Sequence, residues 1–548
     1  MPSLTSTIAL SLLGALPSAV FAQENENDIA FSACALIGSY YPPLTIDKSS
    51  DSFSQLRSKF TDVFDKLIKD GGSEDYGEIT PNTTSFSVVL FGGADSLRDD
   101  PVFFEYHYTS PEDQALTNTN LTSSTKFPVG DVSMIFTVYA WLVNQGDNWE
   151  TPITKYLPEL AEVKGSLTVP WKDVTIGALA NQMSGLSRQS QACTIGEACD
   201  WKEFAKDFAA KPPFFLPDTT PVVSYAAFQL LVFAMERDNG CAGKADGWTS
   251  LLEKTLLQPL NMTSSGLLSP DATDIFAIDG MNTSHIGEPG ALSFVSSIED
   301  LARAGHSILS SSLLSPAITR RWLHPNMDTS NLRNGVGKPW EVYRAGSAIK
   351  PILDVMTKSG TIGQYASYFG LTPDFNAGFA IVAHDSAVKD RKLDLNVHAD
   401  IVSESLGYFQ VFAAKELAFR YAGTYEGAKG SEAVLNTTDN GPGLEAQKLV
   451  IDEVDVRAET AKKLGIKTAD LDFRLYPTNV QDETKHQFVV VFQDRSAPID
   501  MGTPTCITWQ EVGANFGVED RIVFVLDKDG NPTDLELSEA GAKLERVA

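Results

Sequence analysis

Phe127-Pro128-Val129-Gly130-Asp131-Val132-Ser133-Met134-Ile135-Phe136-Thr137 is the stretch on which the reading of this chain turns. A proline and a glycine precede an apolar run, and Asp131 stands where a helix would open. Aspartate is among the best N-cap residues, and a negative group at a helix N-terminus is favourable by ~0.5–2 kcal/mol. From here a helix-rich middle runs to about residue 325. Before it, Phe53, Leu56, Phe60, Val63, Phe64 and Leu67 recur at helical spacing. Ser85–Phe91 and Val102–Tyr108 then read as strands. After the middle, strand signals return at Ser367–Leu371 and Ala377–Val382, with a turn at Pro373-Asp374-Phe375-Asn376 between them. A helix is expected over about 397–418. Strands at both ends with helices inserted between them predict an α/β (α+β) fold, one mixed sheet completed by distant parts of the chain.

The 548 residues are too many for one ordinary core, which stops growing near about 250–300 residues. Past about 420 the composition shifts to turn and strand signals: Asn440-Gly441-Pro442-Gly443, Gln487–Phe492, Ile522–Leu526 and Asp529-Gly530. A separate β-rich domain is expected over 420–548. Lys and Arg number 43 against 71 Asp and Glu, a formal charge of −28. Such a surface repels phosphate backbones and anionic lipid heads, so no nucleic-acid partner is expected.

Residues 1–22 have an apolar stretch from Ile8 to Leu16, then small residues and Val20-Phe21-Ala22, the pattern of a signal peptide. The stretch falls short of the ~20 residues a span needs, so a secreted protein without a stable membrane anchor is expected. Five Asn-x-Ser/Thr triplets, at Asn82, Asn120, Asn261, Asn282 and Asn436, then become candidate glycosylation sites. The cysteines are Cys34, Cys193, Cys199, Cys241 and Cys506. An oxidising compartment favours disulfides, and Cys193 with Cys199, bracketing a turn-like segment, is the first candidate pair. An odd count leaves at least one cysteine free or paired between chains. No cysteine pair has zinc-ligand spacing beside histidines, so no metal and no cofactor are expected.

The opening stretch resembles the active-site start of the class C β-lactamase and penicillin-binding-protein superfamily. Asp147–Ile153, Lys155–Leu160, Val174–Leu179 and Met183–Leu186 resemble that superfamily's next segments, in the same order. Thr357-Lys358-Ser359-Gly360 looks like its third motif, and Tyr421–Tyr425 like the start of the C-terminal β domain of its fungal secreted members. The resemblance covers most of residues 34–548. It implies a β-lactamase/transpeptidase-like sheet with a helical insertion over 23–419, then the β-rich domain over 420–548.

The resemblance also implies a mechanism, and the residues it needs are missing. In the family a Ser-x-x-Lys pair lies about one helical turn apart, so that the lysine amine takes the serine proton and the serine attacks an ester or amide carbonyl. Here the serine position is Asp131 and the lysine position is Met134. An ionised aspartate only accepts hydrogen bonds, and a thioether is no useful base. The Tyr-x-Asn motif is broken too: aligning the adjoining helix puts Val223 at the tyrosine and Tyr225 at the asparagine. A shift of two keeps Tyr225 as the tyrosine but puts Ala227 at the asparagine. Lys358, Ser359 and Gly360 are retained, and Asp131 is expected to pair with Lys358 in the vestigial cleft. Ser123-Ser124-Thr125-Lys126 also spells Ser-x-x-Lys, but on an expected strand edge, where side chains three apart point to opposite faces. Ser133 is expected to project away from the cleft.

The leading expectation is a secreted, glycosylated protein that forms no serine acyl-enzyme and binds a small molecule, a peptide or a protein partner in that cleft, through Asp131, Tyr225, Lys358 and Ser359. The alternative is a hydrolase or acyltransferase of altered mechanism acting on esters or amides; the resemblance brings in fungal secondary metabolism, where some family members act. A purely structural secreted protein is the third reading. Oligomeric state and disulfide connectivity are left open by the sequence.

Overall fold

The structure is a computed structural model. It describes residues 31–547, less 32, 39, 43–47, 95–96, 166, 194–198, 270, 279–287, 346–351, 389–392, 440, 497–507, 511, 514–520 and 538–539. Residues 1–22, Asn282 and Cys506 therefore lie outside the described residues. The chain divides into two compact units.

The first unit holds Thr45–Arg344 and Asp354–Ser403. Helix α1 (Asp51–Asp70) is capped by the Ser50 side chain and ends at Gly71, whose φ of 70° suits the left-handed cap a glycine adopts freely. Its apolar stripe is buried, and Phe64 lies against Phe86, Phe104 and Tyr106. Those rings belong to β1 (Thr84–Gly92) and β2 (Val102–Tyr108). The remaining strands of this eight-stranded sheet are β3 (Met327–Asp328), β4 (Asn334–Val336), β5 (Glu341–Ala345), β6 (Leu353–Ile362), β7 (Tyr365–Thr372) and β8 (Ala377–Asp385), in the order β2-β1-β8-β7-β6-β5-β4-β3. The N-terminal strand β1 thus completes a sheet begun by strands almost three hundred residues later, every residue of β1 buried. A mixed sheet was the expectation; the described pairings are all antiparallel, because short turns join β6, β7 and β8 and β1 runs against β8.

The inserted helices include α2 (Ser133–Gln145), α3 (Tyr225–Asp238) and α4 (Ile298–Leu309). Both α2 and α3 are apolar nearly all round, as buried helices are. α4 lies on β1 and β8. Gly305 permits that approach: a Cβ there would meet the Phe91 ring at 2.1 Å. Cys193 and Cys199 form a disulfide. Cys34 is disulfide-bonded as well, and Cys241 is a free thiol.

α5 (Asn396–Tyr421) ends where the composition shifts, but the packing changes inside it: the second unit takes the chain from Glu404 on, together with the described residues before Thr45 and Ala345–Leu353. That unit contains β9 (Gly423–Gly427), β10 (Glu432–Thr438), β11 (Gly441–Ile451), α6 (Val456–Leu464), β12 (Leu471–Gln481), β13 (Lys485–Asp494), β14 (Arg521–Leu526), β15 (Pro532–Leu537) and β16 (Ala542–Arg546). Each strand pairs antiparallel with the next, and β16 returns to β9, so the sheet closes on itself. Closure removes the exposed edges that an open sheet must protect. Tyr425, Leu435, Leu444, Phe473, Phe488, Phe524 and Leu535 form part of its core. Among the described residues of the chain no helix is long and apolar enough to cross a membrane.

Candidate functional site

The site forms where the turn before α2 meets β6. Gly130 has a φ of 53°, and a Cβ there would meet the Thr361 backbone at 2.8 Å. A Cβ on Gly360 would in turn meet the Val129 carbonyl oxygen at 2.2 Å. Two glycines therefore let the two backbones touch, and the Ser367 hydroxyl fastens them by donating to the Val129 carbonyl at 2.7 Å. This contact delivers Asp131 to the strand that carries Lys358.

Asp131 is buried, and its Oδ2 accepts the Thr361 N–H at 3.3 Å. It does not cap α2. The helix is preceded by a single 3₁₀ turn, Gly130–Val132, and its first residue, Ser133, donates to the Gly130 carbonyl at 2.6 Å while accepting the Phe294 N–H at 3.0 Å. With its bonding capacity used in this way, the Ser133 hydroxyl is committed away from Asp131. Met134 is fully buried in α2.

Lys358 is only 3% exposed at its side chain, yet its partner is not Asp131. Its ammonium lies 2.5 Å from Glu341 Oε1 on the neighbouring strand β5 and also donates to the Ser359 carbonyl at 2.9 Å. Glu341 Oε2 accepts both the N–H and the hydroxyl of Ser359, at 3.0 and 2.9 Å. The expected Asp131–Lys358 pair is therefore corrected to a Glu341–Lys358 pair, with Asp131 contributing only through its field. The reason is reach: adjacent strands bring residues 341 and 358 side by side, whereas Asp131 is drawn to a backbone amide. Burial alone would push the Lys358 ammonium down; the Glu341 charge, with Asp131 behind it, outweighs burial and holds it above its ordinary value. Burial would likewise raise Glu341, but Lys358 and the Ser359 donors keep its carboxyl below the usual range.

Tyr225 opens α3, with Ser224 capping the helix through the Ala227 N–H. The ring is nearly buried, and the hydroxyl accepts from Arg188 Nη2 at 2.8 Å, with the guanidinium 4.8 Å from the ring centre. Burial and then the Asp131 charge push the phenol above its ordinary value, against Arg188. Tyr225 thus joins Asp131 and Lys358, whereas Val223 is half-buried against the core. In the Ser123–Lys126 segment, Ser123 donates to Glu105 and Lys126 pairs with Asp274, both outside this cluster. Glu341, Arg188 and Thr361 were missed by sequence reasoning. For Arg188 the signal was its place just after Met183-Ser184-Gly185-Leu186, and for Thr361 its place just after Lys358-Ser359-Gly360; Glu341 offered only an acidic residue between Trp340 and Val342 on a strand.

Chemically, the cluster balances two carboxylates against two cations. Its lysine is charged and tied to a carboxylate, so no neutral amine faces a hydroxyl. Two hydroxyls of the set lie beside carboxylates: Tyr225 beside Asp131, its phenol held above its ordinary value, and Ser359 beside Glu341, whose carboxyl, held below its usual range, is a weak base.

Residues 94–402 match the family model described as beta-lactamase, and residues 413–548 match a beta-lactamase-like C-terminal domain. A beta-lactamase-like protein of Arthroderma benhamiae is 25% identical over 579 aligned positions, covering 90% of this chain and 93% of that protein. Among solved structures, a class C beta-lactamase is 17% identical with a TM-score of 0.49, over 66% of this chain and 98% of that one. The octameric penicillin-binding protein homologue from Pyrococcus abyssi is 15% identical with a TM-score of 0.47, over 90% and 99%.

Proposed function

Because this chain belongs to the beta-lactamase family, we propose that it is a secreted member which has given up serine acyl-enzyme chemistry and serves as a binding protein. The observation that carries this reading is the commitment of Lys358: its ammonium is 2.5 Å from Glu341, and Asp131 and Met134 stand where a nucleophile and its base would be. An acyl transfer needs a hydroxyl beside a group able to take its proton. Neither Ser133, bonded to the Gly130 carbonyl, nor Ser359, bonded to a weak base, meets that need. Secretion rests on the leader over 1–22, and glycosylation on Asn82, Asn120, Asn261 and Asn436, which are all exposed.

The test is direct. The purified protein is incubated with a fluorescent penicillin, a fluorophosphonate and a chromogenic ester. No covalent label and no turnover above background are expected. A stable serine adduct, or ester turnover abolished by Asp131→Ala or Lys358→Ala, would establish the hydrolase or acyltransferase alternative instead.

A further inference from the structure

Phe214, Phe215 and Leu216 are consecutive and exposed, at 64, 46 and 64%. They are not a frayed loop. The Phe214 N–H donates to the Gly185 carbonyl at 2.8 Å, the Asp218 N–H to the Met183 carbonyl at 2.8 Å, and the Ser187 hydroxyl to the Pro212 carbonyl at 3.1 Å. A Cβ on Gly185 would lie 2.1 Å from the Phe215 carbonyl oxygen, so this segment rests directly on the one that leads to Arg188. Gly185 and Arg188 are three residues apart, at most about 10 Å along the chain.

Arg188 is exposed, gives one N–H to the Tyr225 hydroxyl, and makes no ion pair among the described residues. A guanidinium carries five donors in a fork that matches a carboxylate. The other cation of the site is not available to a ligand, because Glu341 already takes Lys358 together with the N–H and hydroxyl of Ser359. An anion entering here meets Arg188 as its open partner, and the segment packed on Gly185, three residues before it, carries three exposed apolar side chains.

We infer that the site takes a small amphiphilic carboxylate, its head on Arg188 and its alkyl or aryl tail over Phe214, Phe215 and Leu216. This rests on the binding reading above and narrows it to a ligand class. An anionic lipid surface is the weaker match for the same apolar residues, since a chain of formal charge −28 is repelled by its headgroups far more than by one carboxylate, and a zwitterionic surface is the competing occupant that the experiment separates.

The probe is decanoate, kept below its micelle concentration and titrated calorimetrically into the full-length protein. Saturable binding at one site per chain is expected. Arg188→Gln should weaken it by about tenfold or more, the loss expected for a charge-assisted pair, while Arg188→Lys should restore part of it. Replacing Phe214, Phe215 and Leu216 together by serine should weaken it as well, with the melting temperature unchanged because all three are exposed. No saturable binding, or equal affinity in Arg188→Gln, overturns the inference. So does cosedimentation with phosphatidylcholine vesicles that the triple serine variant loses while decanoate affinity stays the same. If the triple variant fails to fold, the Arg188 pair still decides. A serine adduct in the labelling experiment would sink the parent reading without touching the Arg188 dependence; an Arg188-independent titration would sink this inference and leave the parent reading intact.

Discussion

Two charge clusters, one in each unit, are built from the same kinds of side chain and come to different ends. In the closed β unit, Arg474 and Asp472 are both 1% exposed at their side chains, and Arg495 and Glu445 complete the set. Arg474 gives Nε to Asp472 at 2.8 Å, Nη2 to Thr438 at 2.8 Å, and Nη1 to the Gly441 and Pro442 carbonyls at 3.2 Å. Asp472 Oδ1 accepts from Arg495 at 2.7 Å. The central pair faces protein on every side, and only Arg495, 26% exposed at its side chain, reaches toward solvent. In the β-lactamase-like unit, Lys358 is equally buried, but its partner Glu341 is 39% exposed and Arg188 is open to solvent. The first cluster is a closed structural joint; the second keeps one side free for a ligand. Exposure, not the identity of the charges, separates them.

The comparison is broken most forcefully in the β unit. Arg474→Met takes the Nε donor from the buried Asp472 carboxylate, leaving Arg495 as its cation, and removes the Nη1 donor from the Gly441 and Pro442 carbonyls. Removing one partner of a buried pair costs about 3–5 kcal/mol. Denaturant titration of the β unit's transition should register a loss of that size. A change under about 1 kcal/mol, the net worth of an ordinary hydrogen bond, would mean that water reaches Asp472, and the two clusters would then no longer differ in kind.

Lys358→Met asks the same of the open cluster, and the expected loss is smaller, about 2 kcal/mol, because Glu341 can turn to water. Glu341→Gln should lose less again, and the double variant should recover part of the sum, giving a coupling that marks the pair as the interacting unit. The pH dependence fixes the sign. Glu341 is held below its ordinary value, so its contribution is present above the unfolded carboxylate value of about 4.3 and is lost as pH falls through the folded one. The stability advantage of the wild type over Glu341→Gln should therefore shrink below about pH 4. Lys358, held above its ordinary value, contributes fully below its unfolded value of about 10.4 and loses that contribution as pH rises through the folded one. A difference between wild type and Glu341→Gln that stays constant from neutral pH to about pH 3 would sink the ion pair.

The range of each interaction decides how far sequence could reveal it in this molecule. The α1 stripe, the strands around Phe86, Phe103 and Phe379, and the turn at Pro373–Asn376 are local patterns, and the structure places each of them. The Cys193–Cys199 bridge spans six positions and was equally legible. The partner of Lys358 was not, because it depends on which residue of β5 lies beside β6, a register that no spacing in the chain encodes. Closure of the C-terminal sheet depends in the same way on β16 meeting β9, with more than a hundred residues between them. Asp131 misled for a subtler reason. Its type suits a helix cap, but the 3₁₀ turn and the Ser133 bonds supply that end of the helix from elsewhere, leaving the carboxylate to Thr361 and Tyr225.

The smallest effect belongs to Asp131 and separates ancestry from activity. Its hydrogen bonds are the long 3.3 Å contact with Thr361 and one with the Tyr225 side chain, and a serine keeps an oxygen at that place, so Asp131→Ser should change stability by about 1 kcal/mol. The substitution restores a hydroxyl at the position the family uses for attack, yet fluorescent penicillin should still leave the protein unlabelled. The residue one helical turn on is Met134, which offers no amine, and the nearby amine of Lys358 is charged and bound to Glu341. A serine without a proton acceptor is a poor nucleophile at neutral pH. Labelling of Asp131→Ser alone would show that Lys358 can leave Glu341 and act as a base, and the open cluster would then be an active site lacking only its hydroxyl.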